Sequence, residues 1–141
     1  MKTLALLVAL TAVSASQSGT TSVAGAWTAQ FDGRTFLRLE LKAVNGTITG
    51  GLSVGNIEVD EHGALRHVGQ LPHDLTPIFD VTQHASIVTF SRKDGSDTDR
   101  FELRLLEPNR AELKFLINDA DREELTASGI PAPKPFALTK Q

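Results

Sequence analysis

No cysteine occurs among the 141 residues. That excludes disulfides, a Cys-x-x-Cys redox pair, thiolate metal ligands and a lipid-anchored cysteine. A chain without such staples must be held by its hydrophobic core. Basic charge is also scarce: 14 Lys and Arg stand against 17 Asp and Glu, a net charge of −3. No cluster of basic residues supplies the electrostatic footprint of a nucleic-acid binder. No basic amphipathic helix argues for a membrane surface. Long apolar runs are missing too. The one at Leu4 to Val13 falls short of the roughly 20 residues that span a bilayer. A phosphate loop, an HExxH helix, an EF-hand loop and the kinase motifs are all absent, so their chemistries have no carrier here.

The short apolar run has a different meaning. Met1-Lys2 supplies a positive end, Leu4 to Val13 an apolar centre, and Val13-Ser14-Ala15 small residues at a cleavage site. This pattern predicts a signal peptide over residues 1–15, cut before Ser16, and hence an exported protein, periplasmic or extracellular. Losing Lys2 leaves 13 Lys and Arg against 17 Asp and Glu, a net charge of −4. Gln17 to Ser22 is small and polar and predicts a disordered lead-in to about residue 22. Residues 23–141 show no internal boundary and predict one domain.

Within that domain the dominant period is two. Trp27, Ala29 and Phe31 alternate with Thr28 and Gln30; Leu37, Leu39 and Leu41 alternate with Arg38, Glu40 and Lys42. Charged residues on one face and leucines on the other mark half-buried strands. Asp32-Gly33 and Asn45-Gly46 are two-residue hairpin turns, because both positions tolerate positive φ. Alternation resumes at Thr47–Val54, briefly at Ile57 and Val59, weakly at Ile78–Thr82, then at Ser86–Arg92, Phe101–Leu105 and Ala111–Ile117. Residues 61–75 read as irregular. A single helix is predicted over Ala120–Ser128, capped by Asn118 or Asp119 and ended by Gly129. Pro131, Pro133 and Pro135 form an extended strap, and Phe136–Thr139 a last strand.

Eight or nine short strands joined by hairpins predict an antiparallel up-and-down meander. Such a sheet leaves two unpaired edges unless it closes. The expected fold is therefore mainly β, a barrel of about eight strands with one short helix; a sandwich is the second possibility.

Gly25-Ala26-Trp27 at the start of the first strand matches the G-x-W signature of the lipocalin and avidin barrels. With Val23-Ala24 before it and Gly46-Thr47-Ile48-Thr49-Gly50 after it, the opening resembles small exported bacterial lipocalin-like β-proteins. The resemblance covers residues 23–54 in motif and the remainder in architecture. It implies that Trp27 closes one end of the barrel under a basic residue, for which Lys140 and Arg104 both qualify. An avidin-like biotin site is excluded, because one tryptophan and no tyrosine cannot build its aromatic walls.

The predicted interior is Trp27, Phe31, Leu37, Leu39, Leu41, Ile48, Leu52, Val88, Phe90, Phe101, Leu103, Leu105, Leu113 and Phe115, without a charge among them. An eight-stranded barrel is either filled by its own side chains or holds one small ligand, and the large Leu and Phe residues here favour filling. Should it hold one, the ligand is apolar, and Trp27, Phe31, Leu39, Leu52, Phe90, Leu103 and Phe115 are the expected contacts. No cofactor is implied.

Three further features raise chemical questions. His62, His67 and His73 lie among carboxylates and offer a zinc or copper site if a loop gathers them. Their spacing fits neither one helix face nor one strand face, and a solvated polar loop is the alternative. His73-Asp74 are adjacent, a poor geometry for an oriented catalytic pair, and His84 reads as a turn residue. Asp97, Asp99, Glu102 and Glu107 read as turn or outward residues, not as carboxylates paired across a cleft. Gly51-Leu52-Ser53-Val54-Gly55 matches G-x-S-x-G, but that nucleophile needs a strand, a sharp turn and a helix. Here alternation runs through Ser53 and Gly55-Asn56 leads into another strand. Ser53 is therefore expected on the outer, polar face of the barrel wall, with Gly51 and Gly55 as a bend and a turn. The expected function is a binding module for a small apolar ligand. An interaction or inhibitor module that docks a secreted partner through residues 61–75 and the proline strap is the alternative. A hydrolase using Ser53 ranks last.

Overall fold

The computed structural model describes residues 22–141. The expected signal peptide, and the lead-in as far as Thr21, lie outside the described residues. Ten strands follow: β1 (Gly25–Phe31), β2 (Arg34–Val44), β3 (Thr47–Val54), β4 (Ile57–Val59), β5 (Leu65–Val68), β6 (Thr76–His84), β7 (Ile87–Asp94), β8 (Asp97–Glu107), β9 (Arg110–Leu116) and β10 (Phe136–Lys140). One helix, α1 (Asp119–Ala127), lies between β9 and β10. Eight strands close a barrel in the order β1-β2-β3-β6-β7-β8-β9-β10, with β10 returning to β1 through Trp27↔Lys140 and Thr28↔Thr139. Every neighbouring pair is antiparallel, and closure joins the two edges that an open meander would leave. The meander barrel expected from the alternation is the fold found.

The turns form where left-handed backbone is cheapest. Asp32 and Gly33 take φ of 51° and 73°, and Asn45 and Gly46 take 50° and 77°. Both pairs give the twist that matches antiparallel strands. Gly50 serves a different end: a Cβ there would lie 1.8 Å from the Glu40 carbonyl oxygen. The strands β2 and β3 approach each other too closely at that point for any side chain.

Two readings need correction. Residues 61–75 are not wholly irregular, since β5 pairs with β4 through Ile57↔Val68 and Glu58↔His67. The pair forms its own two-stranded sheet but packs on the barrel, with Val68 buried in the core and Ile57 and Leu65 against it. Strand β6, weak in the sequence, runs to His84, but its register breaks between Phe79 and Thr82, where Asp80 has φ of 50°. A bulge of this kind bends the strand and hides its period. Strand β6 meets β3 over two residue pairs, Gly51↔Pro77 and Leu52↔Thr76.

The core is continuous. Trp27, Leu37, Leu39, Leu52, Val88, Phe90, Phe101, Leu103 and Leu113 are fully buried, each burial stabilising the fold by roughly 1.5–3 kcal/mol. A chain of rings runs through it: Phe90 stacks on Phe101, Phe101 meets Phe115 at a tilt, and Phe115 meets Phe136, and Phe136 meets Phe36, edge-on. Phe36 is buried beside Leu37 and is not among the core residues that alternation selects. The register of β1 against β2 shifts after Ala29, so Phe36 drops inward as well. Phe31, expected inward, lies past that shift and is only partly buried.

The two barrel ends differ. At one, only the two-residue turns at 45–46, 85–86 and 108–109 connect strands. Trp27 sits near this end with its indole N–H donating to the Val23 carbonyl at 2.9 Å. Of the two basic candidates, Lys140 takes the place above the Trp27 ring, at 5.4 Å from its centre. Arg104 points outward and pairs with Glu102 at 3.6 Å. At the other end gather both long connections, residues 55–75 and 117–135. This second end is the mouth.

Candidate ligand site

Helix α1 crosses the mouth. Asn118 caps it, its side chain accepting from the Asp121 N–H at 2.8 Å, and Asp119 and Asp121 suit the positive end of the helix dipole. It ends in a Schellman motif: Ile130 N–H donates to the Leu125 carbonyl and Gly129 N–H to that of Thr126, with Gly129 at φ of 68°. The helix is thus fixed at its two ends, yet no residue of it is buried. Between α1 and the barrel rim lies a cleft of about 610 Å³. Ile57 of β4, Phe115 and Leu116 of β9, and Leu125 of α1 give it apolar walls, while Asp99, Arg100, Asp121 and Glu124 bring charge to its edge.

The proline strap holds this arrangement on the far side. Lys134 N–H donates to the Gly63 carbonyl at 2.9 Å, and a Cβ at Gly63 would lie 2.4 Å from the Ala132 carbonyl oxygen. Gly63 belongs to the β4–β5 turn, which Asp60 organises. Its carboxylate accepts from the N–H groups of His62 at 2.8 Å and Ala64 at 3.0 Å. Those two backbone bonds, helped by the nearby His62 and Lys134, hold the Asp60 carboxyl below its ordinary value.

One pair at the mouth was hidden in the sequence. Arg92 and Asp99 are directly opposed on β7 and β8, two residues beyond the inward pair Phe90↔Phe101. They therefore point inward, with Arg92 Nη2 at 3.1 Å from Asp99 Oδ2 and the guanidinium 5.5 Å from the Phe101 ring centre. This corrects the expectation of an uncharged interior and of Asp99 as a turn or outward residue. The signal was present: the spacings Val88, Phe90, Arg92 and Asp99, Phe101, Leu103 continue the period past the last apolar residue.

Of the expected ligand contacts, Trp27, Leu39, Phe90 and Leu103 lie in the closed core. Phe115 lines the mouth cleft. Leu52 borders a second cleft of about 340 Å³ with Ser53, Ile57 and Arg92, and Phe31 a third of about 350 Å³ with Gly63 and Pro135. All seven lie in or against one hydrophobic core, and they do not line one cleft.

The histidines are likewise dispersed. His62 is exposed in the β4–β5 turn beside Glu61, His67 stands on β5 opposite Glu58, and His73 is exposed in the segment leading to β6. Among the described residues, no three His, Cys, Asp or Glu side chains are placed to hold a metal ion.

Gly51-Leu52-Ser53-Val54-Gly55 proves to be a track for the returning chain. A Cβ at Gly51 would lie 2.8 Å from Leu75 Cβ, and one at Gly55 2.8 Å from the Gly69 carbonyl oxygen. Between them Ser53 Oγ donates to the Pro72 carbonyl at 3.0 Å. Segment 69–75 thus lies along the outer face of β3, which accounts for small residues at every second position. Ser53 does face outward, as its register with Arg38 requires, but it is 4 % exposed and not on a solvated face. No family model, curated protein or solved structure matches the chain, so the closed eight-stranded barrel, compatible with a lipocalin-like fold, rests on its own topology.

Proposed function

We propose that this chain is an exported, lipocalin-like binding protein and not an enzyme, and that it takes a small, mainly apolar ligand at the mouth beneath α1. The observation that carries this reading is the cleft of about 610 Å³ roofed by a helix that buries none of its residues. Its volume lies within the range of roughly 300–1,000 Å³ of small-molecule sites, and its apolar walls with a charged edge fit their usual make-up. A short helix draws most of its stability from packing an apolar face. A ligand under Leu125 would supply that packing. The barrel core, filled by its leucines and phenylalanines, is the body on which the site is built.

Titration with the neutral probe N-phenyl-1-naphthylamine tests this. Saturable fluorescence enhancement is expected with the intact protein. Leu125→Asp should weaken it by about tenfold or more, since it replaces apolar contact by charge. The absence of saturable binding overturns the reading.

A second reading, docking of a secreted protein partner, is favoured by one observation. The strap and the β4–β5 turn are joined by the Lys134–Gly63 hydrogen bond, and Ile130, between α1 and the strap, is 52 % exposed. Capture of a partner from the organism's own secretome, lost in Ile130→Asp, would support it.

A further inference from the structure

The second cleft adjoins the first, because Ile57 lines both. An ion pair spans the wall between them: Asp99 faces the cleft under α1, and Arg92 faces the other. The Arg92 side chain is 12 % exposed, and its Nε is buried without a hydrogen-bond partner. A guanidinium has five donors in a fixed fork and no acceptor. Leaving one of them buried and unmatched is costly; Arg38 Nε is in the same state, and what sets Arg92 apart is that its side chain lines the second cleft. The group is not free to turn away, since Asp99 holds one edge and the Phe101 ring lies beneath it.

We propose that the ligand is an amphiphile, with its apolar part in the cleft under α1 and an oxygen-acceptor head, carboxylate or hydroxyl, seated on Arg92 in the second cleft. This rests on the mouth-binding reading above. The other charges of the second cleft are Lys93, Asp74 and Asp94. Lys93 donates to Thr98 Oγ1 at 2.9 Å and lies over Phe79. Asp74 and Asp94 are exposed, where water screens them. The buried end of the cleft therefore selects for an acceptor and against an ammonium group.

Displacement of N-phenyl-1-naphthylamine by three probes with one tail, dodecanoate, 1-dodecanol and dodecylamine, tests the head. For the intact protein, dodecanoate and dodecanol are expected to bind at least about tenfold tighter than dodecylamine, the worth of a hydrogen bond to a charged group. In Arg92→Met the three should fall within about twofold of one another. Asp99→Asn, which frees the guanidinium of its partner, should raise the preference for dodecanoate over dodecanol. Circular dichroism checks that each variant folds. Dodecylamine competing as well as dodecanoate, or an unchanged ranking in Arg92→Met, overturns the head assignment while the naphthylamine signal keeps the mouth reading. If Arg92→Met does not fold, an unchanged dodecanoate-to-dodecanol ratio in Asp99→Asn overturns it instead. Failure of the intact protein to bind the naphthylamine overturns both.

Discussion

Lys140 Nζ stands 5.4 Å above the Trp27 ring and donates to the Ser22 carbonyl at 3.1 Å, so one ammonium fastens the last strand to the start of the first. The cation–π contact is worth about 0.5–1 kcal/mol at a partly exposed site. Lys140→Ala is expected to lower stability by about 1 kcal/mol in urea denaturation. Trp27 is the only tryptophan. Its emission therefore reports the change directly, and a red shift in the folded variant is expected as water reaches the ring.

Gly50→Ala tests the close approach of β2 and β3. A Cβ would lie 1.8 Å from the Glu40 carbonyl oxygen, which belongs to the backbone and cannot swing aside. The expected loss is about 3 kcal/mol or more, large enough to unfold a small domain. Gly33→Ala is the contrast. Nothing lies within 4 Å of its Cβ position, so only the φ of 73° opposes it, at about 1 kcal/mol. Equal losses for the two variants would show that the approach is not as close as described.

Ser53→Ala removes the hydrogen bond to the Pro72 carbonyl. The expected cost is about 1 kcal/mol, seen as a lower urea midpoint with unchanged slope. Protease susceptibility of segment 69–75 should rise, because that bond fastens it to β3. Loss of an esterase activity in a variant that stays folded would instead make Ser53 a nucleophile.

Asp60 gives the β4–β5 turn a pH dependence. Its folded carboxyl titrates below the ordinary value because the charged form accepts from His62 and Ala64. A depressed folded value means that the stabilisation is complete above the unfolded value, about 3.9, and is lost as pH falls below it. Protection of the His62 and Ala64 amides, taken relative to the intrinsic exchange rate at each pH, is expected to fall in that acid window, while protection of Leu103 in the core does not. Asp60→Asn should remove the pH dependence.

The alternation at Leu37–Leu41, Val88–Phe90 and Phe101–Leu105 is enough to infer an antiparallel meander with one buried face, a barrel ahead of a sandwich, because a period of two with hairpin turns has few other ways to bury one face. Asn118 and Gly129 likewise mark α1 to within one residue, since caps are local chemistry. Arg92 was legible in the same period but masked by its charge. Phe36 was not legible and β6 was legible only as the weak stretch Ile78–Thr82, because a bulge breaks the period in each case.

Strand identity, turn positions and the helix were thus written locally, in side-chain alternation and in residues that tolerate positive φ. The tertiary structure alone decided that Lys140 and not Arg104 covers Trp27, that segment 69–75 lies on Ser53, and that Arg92 and Asp99 share the wall between two clefts. Each of these joins positions whose distance in space depends on strand register and barrel closure. A single step of register moves a side chain to the opposite face, and no local pattern fixes that step across connections of 21 and 19 residues.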